Sequence, residues 1–200
     1  MQQSKHKKRK AGTNSLARFA FWLGAGLICL TLVIGYVSYQ YSFFMMERSY
    51  QSFYLNQAQI ISNSVESVTD QDKETILSYL VRTWNQVENR PSDEYICVVD
   101  SSGELLLHTR DPGKVGSYVG DNRITPFSNS NRNDIHYLLE NNSNYAGEYI
   151  SSDEEDQIAA FVYLPNKDWL LGNHRSKSAL KNEFRDRFFP WMIGFLSVCG

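Results

Sequence analysis

The stretch Tyr95-Ile-Cys-Val-Val-Asp100-Ser-Ser-Gly103-Glu-Leu-Leu-Leu-His108 decides how the rest of this 200-residue chain is read. Tyr95–Val99 is aromatic and β-branched, Asp100–Gly103 carries turn residues, and Glu104–Thr109 is a second apolar run. Together they make a β-hairpin. Upstream the period changes. Ile76, Leu77, Leu80, Val81, Trp84 and Val87 form one helical stripe, with Asp72 and Glu74 at the end where acids suit a helix start. Pro91-Ser92-Asp93 ends it. Before that, Tyr50, Phe53, Tyr54, Gln57, Ile60, Ile61, Val65 and Val68 recur at three-to-four spacing without Gly or Pro, a longer helix interrupted at Thr69–Asp72.

Downstream of the hairpin, residues 110–133 are rich in Gly, Asn, Ser, Asp and Pro, too long a loop to be idle in a compact domain. Asp134–Glu140 reads as a short helix. Ala146–Ser151, Gln157–Leu164 and Trp169–His174 read as three more strands, joined by the acidic turn Ser152–Asp156 and the turn Pro165–Asp168. The fold class is therefore α+β: a long N-terminal helix and a second helix packed on a five-stranded antiparallel sheet.

Outward again, the chain ends on apolar segments. The overall charge is −2, which argues against a nucleic-acid partner, yet the average hides a split. Lys5, Lys7, Lys8, Arg9, Lys10 and Arg18 precede any acid, and residues 19–200 carry 14 cations against 22 acids, a net of −8. From Phe19 to Met46 no residue is charged, and Phe19–Val37 is almost continuously apolar. About 20 such residues cross a bilayer. Trp22 and Tyr36, Tyr39 and Tyr41 fall where interfacial aromatics belong. The leading cations place the N-terminus in the cytoplasm and the following chain outside it. A cleaved signal peptide fits less well, because its apolar region is usually about 7–15 residues and no A-x-A-like site follows.

A second apolar run, Phe188–Gly200, reads as the start of another membrane helix, with a C-terminal core helix as the competing reading. The expected organisation is a basic tail over 1–18, a membrane helix over 19–41, an exported domain over 42–187 and the second membrane helix from 188. Cys97 is the exported part's one thiol, so no disulfide framework exists there, and its apolar run predicts a buried small hydrophobe. Tyr50, Phe53, Gln57, Ile60 and Ser64 share a face of the first exported helix and predict a homodimer through it.

The hairpin followed by Asp111-Pro-Gly-Lys-Val-Gly116 resembles the Cache-domain pattern, in which a strand ends in Asp-x-x-Gly, the next ends near a histidine, and a polar loop closes with Val-Gly. Gly147-Glu-Tyr149, Ala159-Ala-Phe-Val-Tyr-Leu-Pro165 and Trp169-Leu-Leu-Gly172 are similar to that family's second half. The resemblance covers residues 42–180. It implies a PAS-like extracytoplasmic sensor domain of a bacterial receptor, most like the input half of a sensor histidine kinase, with chemoreceptors and diguanylate cyclases as other parents.

The residues themselves offer little catalysis. Gly113-Lys-Val-Gly-Ser117 has phosphate-loop letters without the spacing, and no hydrolase elbow, zinc-protease or kinase signature occurs. His6, His108, His136 and His174 are far apart. Asp153-Glu-Glu-Asp156 is a solvated turn more readily than a cation site, since calcium-loop spacing is absent. No enzyme activity, cofactor or metal is expected. A small-molecule ligand between the sheet and the long loop is expected instead, held by Tyr95, His108, Arg110, Arg123, Tyr149 and Tyr163. For His108 a hydrogen-bonded strand end and a ligand contact both stand open. Arg110 and Arg123, on the two sides of the loop, suit a carboxylate.

Overall fold

The computed structural model describes residues 3–66, 71–87, 90–124, 134–151, 153 and 155–199. Two units divide the chain, Met1–Phe44 and Met45–Gly200. The first is helical throughout its described part. Helix α1 is assigned over Gln3–Glu66, and within it a window of mean hydropathy 2.1 is long and apolar enough to cross a membrane. Trp22, Ile28 and Val33 there present their side chains outward.

The second unit holds the sheet. Helix α2 (Lys73–Asn85) begins where Asp72 accepts a hydrogen bond from the Thr75 amide at 2.8 Å, satisfying one of the free donors of the first turn. The strands are β1 (Tyr95–Val99), β2 (Leu105–His108), β3 (Arg123–Ile124), β4 (Tyr145–Ile150), β5 (Asp156–Leu164) and β6 (Trp169–Ser176). A short 3₁₀ turn covers Pro112–Lys114, α3 covers Ile135–Glu140 and α4 covers Lys177–Cys199. Asp134 caps α3 by accepting from the Tyr137 amide at 2.8 Å. Every pairing is antiparallel, in the order β2-β1-β6-β5-β4-β3.

Six strands replace the expected five. The addition is β3, inside the long loop, where Arg123 and Ile124 pair with Ile150 and Tyr149 of β4. Two residues carry no period of their own, so the pairing exists only once β4 is in place. The hairpin turn is as read. Asp100 Oδ1 accepts from the amides of Ser102 and Glu104 at 2.9 and 3.0 Å. Gly103 adopts a φ of +85°, and a Cβ there would lie 2.7 Å from the Tyr118 ring.

Both faces of the sheet are covered, which explains why β1 and β6 are buried along their whole length. One face packs Ile96, Val98, Leu106, Trp169 and Leu171 against Ile61 and Val65 of α1 and Ile76, Leu80 and Trp84 of α2. Tyr54 of α1 and Leu180 of α4 join it through Ile158 and Ala160. The other face packs Cys97, Val99, Leu105, Phe161 and Leu170 under Val119, Ile124 and α3.

Candidate functional site

Successive strand residues point to opposite faces. Tyr95 and Cys97 of β1, Tyr149 of β4, Phe161 of β5 and His174 of β6 therefore share the face beneath the loop. Register sets Tyr95 opposite His174 and Cys97 opposite Gly172. The missing side chain at Gly172 makes room for its neighbours: a Cβ there would lie 2.5 Å from His174 Nε2, 2.7 Å from Phe161 and 2.8 Å from Cys97 Sγ.

What results is a ring cluster with few polar atoms. Tyr95 stacks on His108 at 4.4 Å and on His174 at 4.8 Å, centroid to centroid, and Phe161 meets His174 edge-on at 5.0 Å. Tyr95 donates its hydroxyl hydrogen bond to Gln157 Oε1 at 2.6 Å, and Asn122 Nδ2 donates to the Tyr149 hydroxyl at 2.5 Å. Cys97 Sγ lies 3.0 Å from His174 Nε2. His108 Nδ1 accepts from the Asp111 amide at 2.9 Å. Between the rings and Val99, Leu105, Val119 and Ile135 lies a cavity of about 20 Å³, room for one water-sized group.

Burial sets the charge states. It lowers the His174 pKa to about 3, with His108 and Arg110 adding to the effect. Burial also lowers His108, to about 4, assisted by Lys114 and Arg110. The Cys97 thiol is pushed up to about 12 by burial, and the Tyr95 and Tyr149 hydroxyls are raised for the same reason. The cluster is thus neutral near pH 7.

Full charges sit at the mouth. Arg110 pairs with Glu155 at 3.0 Å and lies over the Tyr95 ring, 4.6 Å from its centre. Lys114, which lines the cavity, pairs with Asp153. The acidic turn read as solvated therefore engages the two cations beside the cavity.

Of the six residues expected at the site, Tyr95, His108 and Tyr149 line the cavity and Arg110 flanks it. Arg123 is exposed on β3, at the opposite end of the strand order from β2, in an adjoining groove with Asp121 and Asp156 that shares Asn122 and Ser151 with the cavity. Tyr163 lies farther along β5 and donates to Asp168 Oδ1 at 2.6 Å. The structure adds Cys97, Asn122, Lys114, Phe161 and His174. A signal for His174 existed in the alternation of Leu170, Gly172 and His174, but only the strand order β1-β6-β5 puts that face beside Tyr95.

The intervening residues of β6 face the helices. Asn173 Nδ2 donates to Gln57 Oε1 of α1 at 2.5 Å. Arg175 Nε reaches Asp93 at 3.0 Å, and its Nη2 reaches Glu183 of α4 at 2.5 Å. Burial opposes the Arg175 charge, but these two acids raise its pKa above the ordinary value. Just past the strand, Lys177 of α4 pairs with Glu148 and lies 3.1 Å from Glu47 of α1.

Neither a protein-family model nor a curated protein sequence matches the chain. Solved structures do. A methyl-accepting chemotaxis protein from Vibrio parahaemolyticus superposes with a TM-score of 0.51 at 15% identity, over 72% of this chain and 99% of that one. The periplasmic sensory domain of the Campylobacter jejuni chemoreceptor Tlp1 gives 0.39 at 22% identity, over 55% of this chain and 36% of that one. A Cache chemosensory domain described for carboxylic acid recognition gives 0.46 at 10% identity, over 66% and 96%. The chain shares the fold of the Vibrio chemotaxis-protein structure, in line with the Cache-like resemblance of its sequence.

Proposed function

We propose that this chain is the membrane-anchored, ligand-sensing input part of a signal-transduction receptor, with residues 42–187 outside the cytoplasm. The observation that carries the reading is β6. His174 faces the cavity, while its neighbours Asn173 and Arg175 hold α1 and α4. A ligand that binds one arrangement of the pocket better than another shifts the population, and β6 moves both helices with it. The fold alone does not define an activity. A sensor histidine kinase is the proposed parent, and an anchored binding or adaptor protein is the second reading, favoured by the acidic surplus of residues 19–200.

Topology tests the anchoring. A reporter active only outside the cytoplasm, fused after Arg90, is expected to be active in bacteria. A stable but silent fusion contradicts the export.

We also propose a homodimer through α1, and the structure divides the stripe expected to form it. Gln57 bonds to Asn173 and Tyr50 lies under Arg175. Phe53 and Ile60 remain 54% and 70% exposed, seven residues apart. With Asn56 between them, they make one heptad seam. Ile60→Cys is expected to cross-link between chains in membranes, and Gln57→Cys far less. Equal cross-linking at both, or none at Ile60, contradicts this seam.

A further inference from the structure

The carboxylate expectation rested on Arg110 and Arg123 converging, and they do not. Arg110 is taken up by Glu155, Lys114 by Asp153, and Arg123 lines not the cavity but the groove that adjoins it. A carboxylate in the cavity would have to displace one of those acids or remain buried without a counter-charge, an unfavourable exchange against water. The cavity does offer one unanswered polar atom. His174 is 1% exposed and lines the cavity, and its Nδ1 is buried without a hydrogen-bond partner. Buried polar atoms are nearly always paired, so an orphan in a cavity wall needs a reason.

The other ring nitrogen fixes its role. Cys97 Sγ lies 3.0 Å from Nε2. Sulfur accepts weakly while the protonated thiol has one hydrogen to give, so the thiol donates to Nε2 and the neutral imidazole carries its proton on Nδ1. Nδ1 is then a donor on a residue that lines the cavity with the Tyr95 and Phe161 rings, Val99 and Ile135, and with the polar Asn122, Ser151 and Lys114.

We infer that His174 is the specificity-determining residue of this pocket and that its Nδ1 donates to the carbonyl oxygen of a small uncharged ligand, such as a short-chain amide, whose apolar end packs on the Tyr95 and Phe161 rings. The inference rests on the sensor reading above and narrows it. A neutral carbonyl accepts the one bond on offer and leaves no charge behind. Because the cavity is closed to about 20 Å³, even a molecule of a few heavy atoms must push the Pro112–Asn122 loop outward. That displacement gives the ligand different affinities for two arrangements of the domain.

The test uses the full 200-residue chain in lipid nanodiscs, with acetamide and propionamide against acetate and propionate at matched ionic strength. The amides are expected to raise the melting temperature saturably and the acids are not. His174→Phe keeps the ring and its stacking but has no nitrogen, and should weaken amide binding at least tenfold. Tyr163→Phe, on the same strand face but outside the cavity, should leave it unchanged. Should His174→Phe fail to fold, ¹⁵N-histidine labelling of the wild-type chain reads the same bond, because acetamide must shift the Nδ1–H resonance of His174. Stabilisation by the acids alone, or amide binding that survives His174→Phe, overturns the inference and leaves the sensor reading standing. No saturable response to either class overturns both the inference and the small-ligand pocket beneath it.

Discussion

Between pH 7 and pH 5 the chain is expected to lose about 2 kcal/mol of stability through His174, and a similar amount through His108, whose native pKa also lies below that window. In the unfolded chain both imidazoles titrate near 6.5, whereas the fold holds them at about 3 and about 4. Below pH 6.5 the unfolded state therefore binds protons that the native state refuses. The stability is fully present above that value and falls as pH drops toward the native pKa values. Asp153 and Glu155, whose pKa values are lowered, lose their contribution only below the ordinary carboxylate range, outside this window. Glu94 works in the opposite direction, since burial raises its pKa. It does so equally in both chains to be compared. Urea midpoints for wild type and His174→Phe at the two pH values isolate the imidazole, and the variant should show a shallower acid loss by roughly the full His174 share. Equal losses in both would mean that His174 is not a buried neutral ring.

The second large effect is expected at Arg175, which is 3% exposed and bridges Asp93 to Glu183 of α4. Arg175→Met keeps much of the packing over Tyr50 but strands two acids beside a closed interface. The cost should be about 3 kcal/mol, the low end for a broken buried pair, because both acids retain some access to water. Adding Glu183→Gln to Arg175→Met should recover part of it. A single variant as stable as wild type would show that α4 is held to the sheet by Leu180 and its apolar neighbours alone.

Those two sites also show what a sequence can carry. The hairpin at Asp100–Gly103, the cap at Asp72 and the helix at Ile135–Glu140 are local, and each was legible because turn and cap chemistry act over four or five residues. Strand β3 was not, since Arg123 and Ile124 are defined by what they pair with. The pocket lay in between. Tyr95, His108 and Tyr149 were readable as strand residues near a long loop. His174, fifty residues after the loop residue Ile124, came to them only because β6 inserts between β1 and β5. Charge pairing was the least legible. Arg110 and Lys114 take Glu155 and Asp153, acids about 40 positions away that lie just before β5 and are brought to them only by the folded sheet.

If a change at the pocket face of β6 reaches α1 and α4, a chimera should report it. The full chain is joined to the cytoplasmic half of a well-behaved histidine kinase, and kinase output is followed while small organic compounds are applied from outside the cell. At least one compound should change the output. Asn173→Leu, which cuts the hydrogen bond to Gln57 on the helix face, should abolish the change while the compound still binds. An active chimera whose output responds to none of the compounds that bind the wild-type chain, or responds as fully with Asn173→Leu, would contradict the link from β6 to α1 and α4.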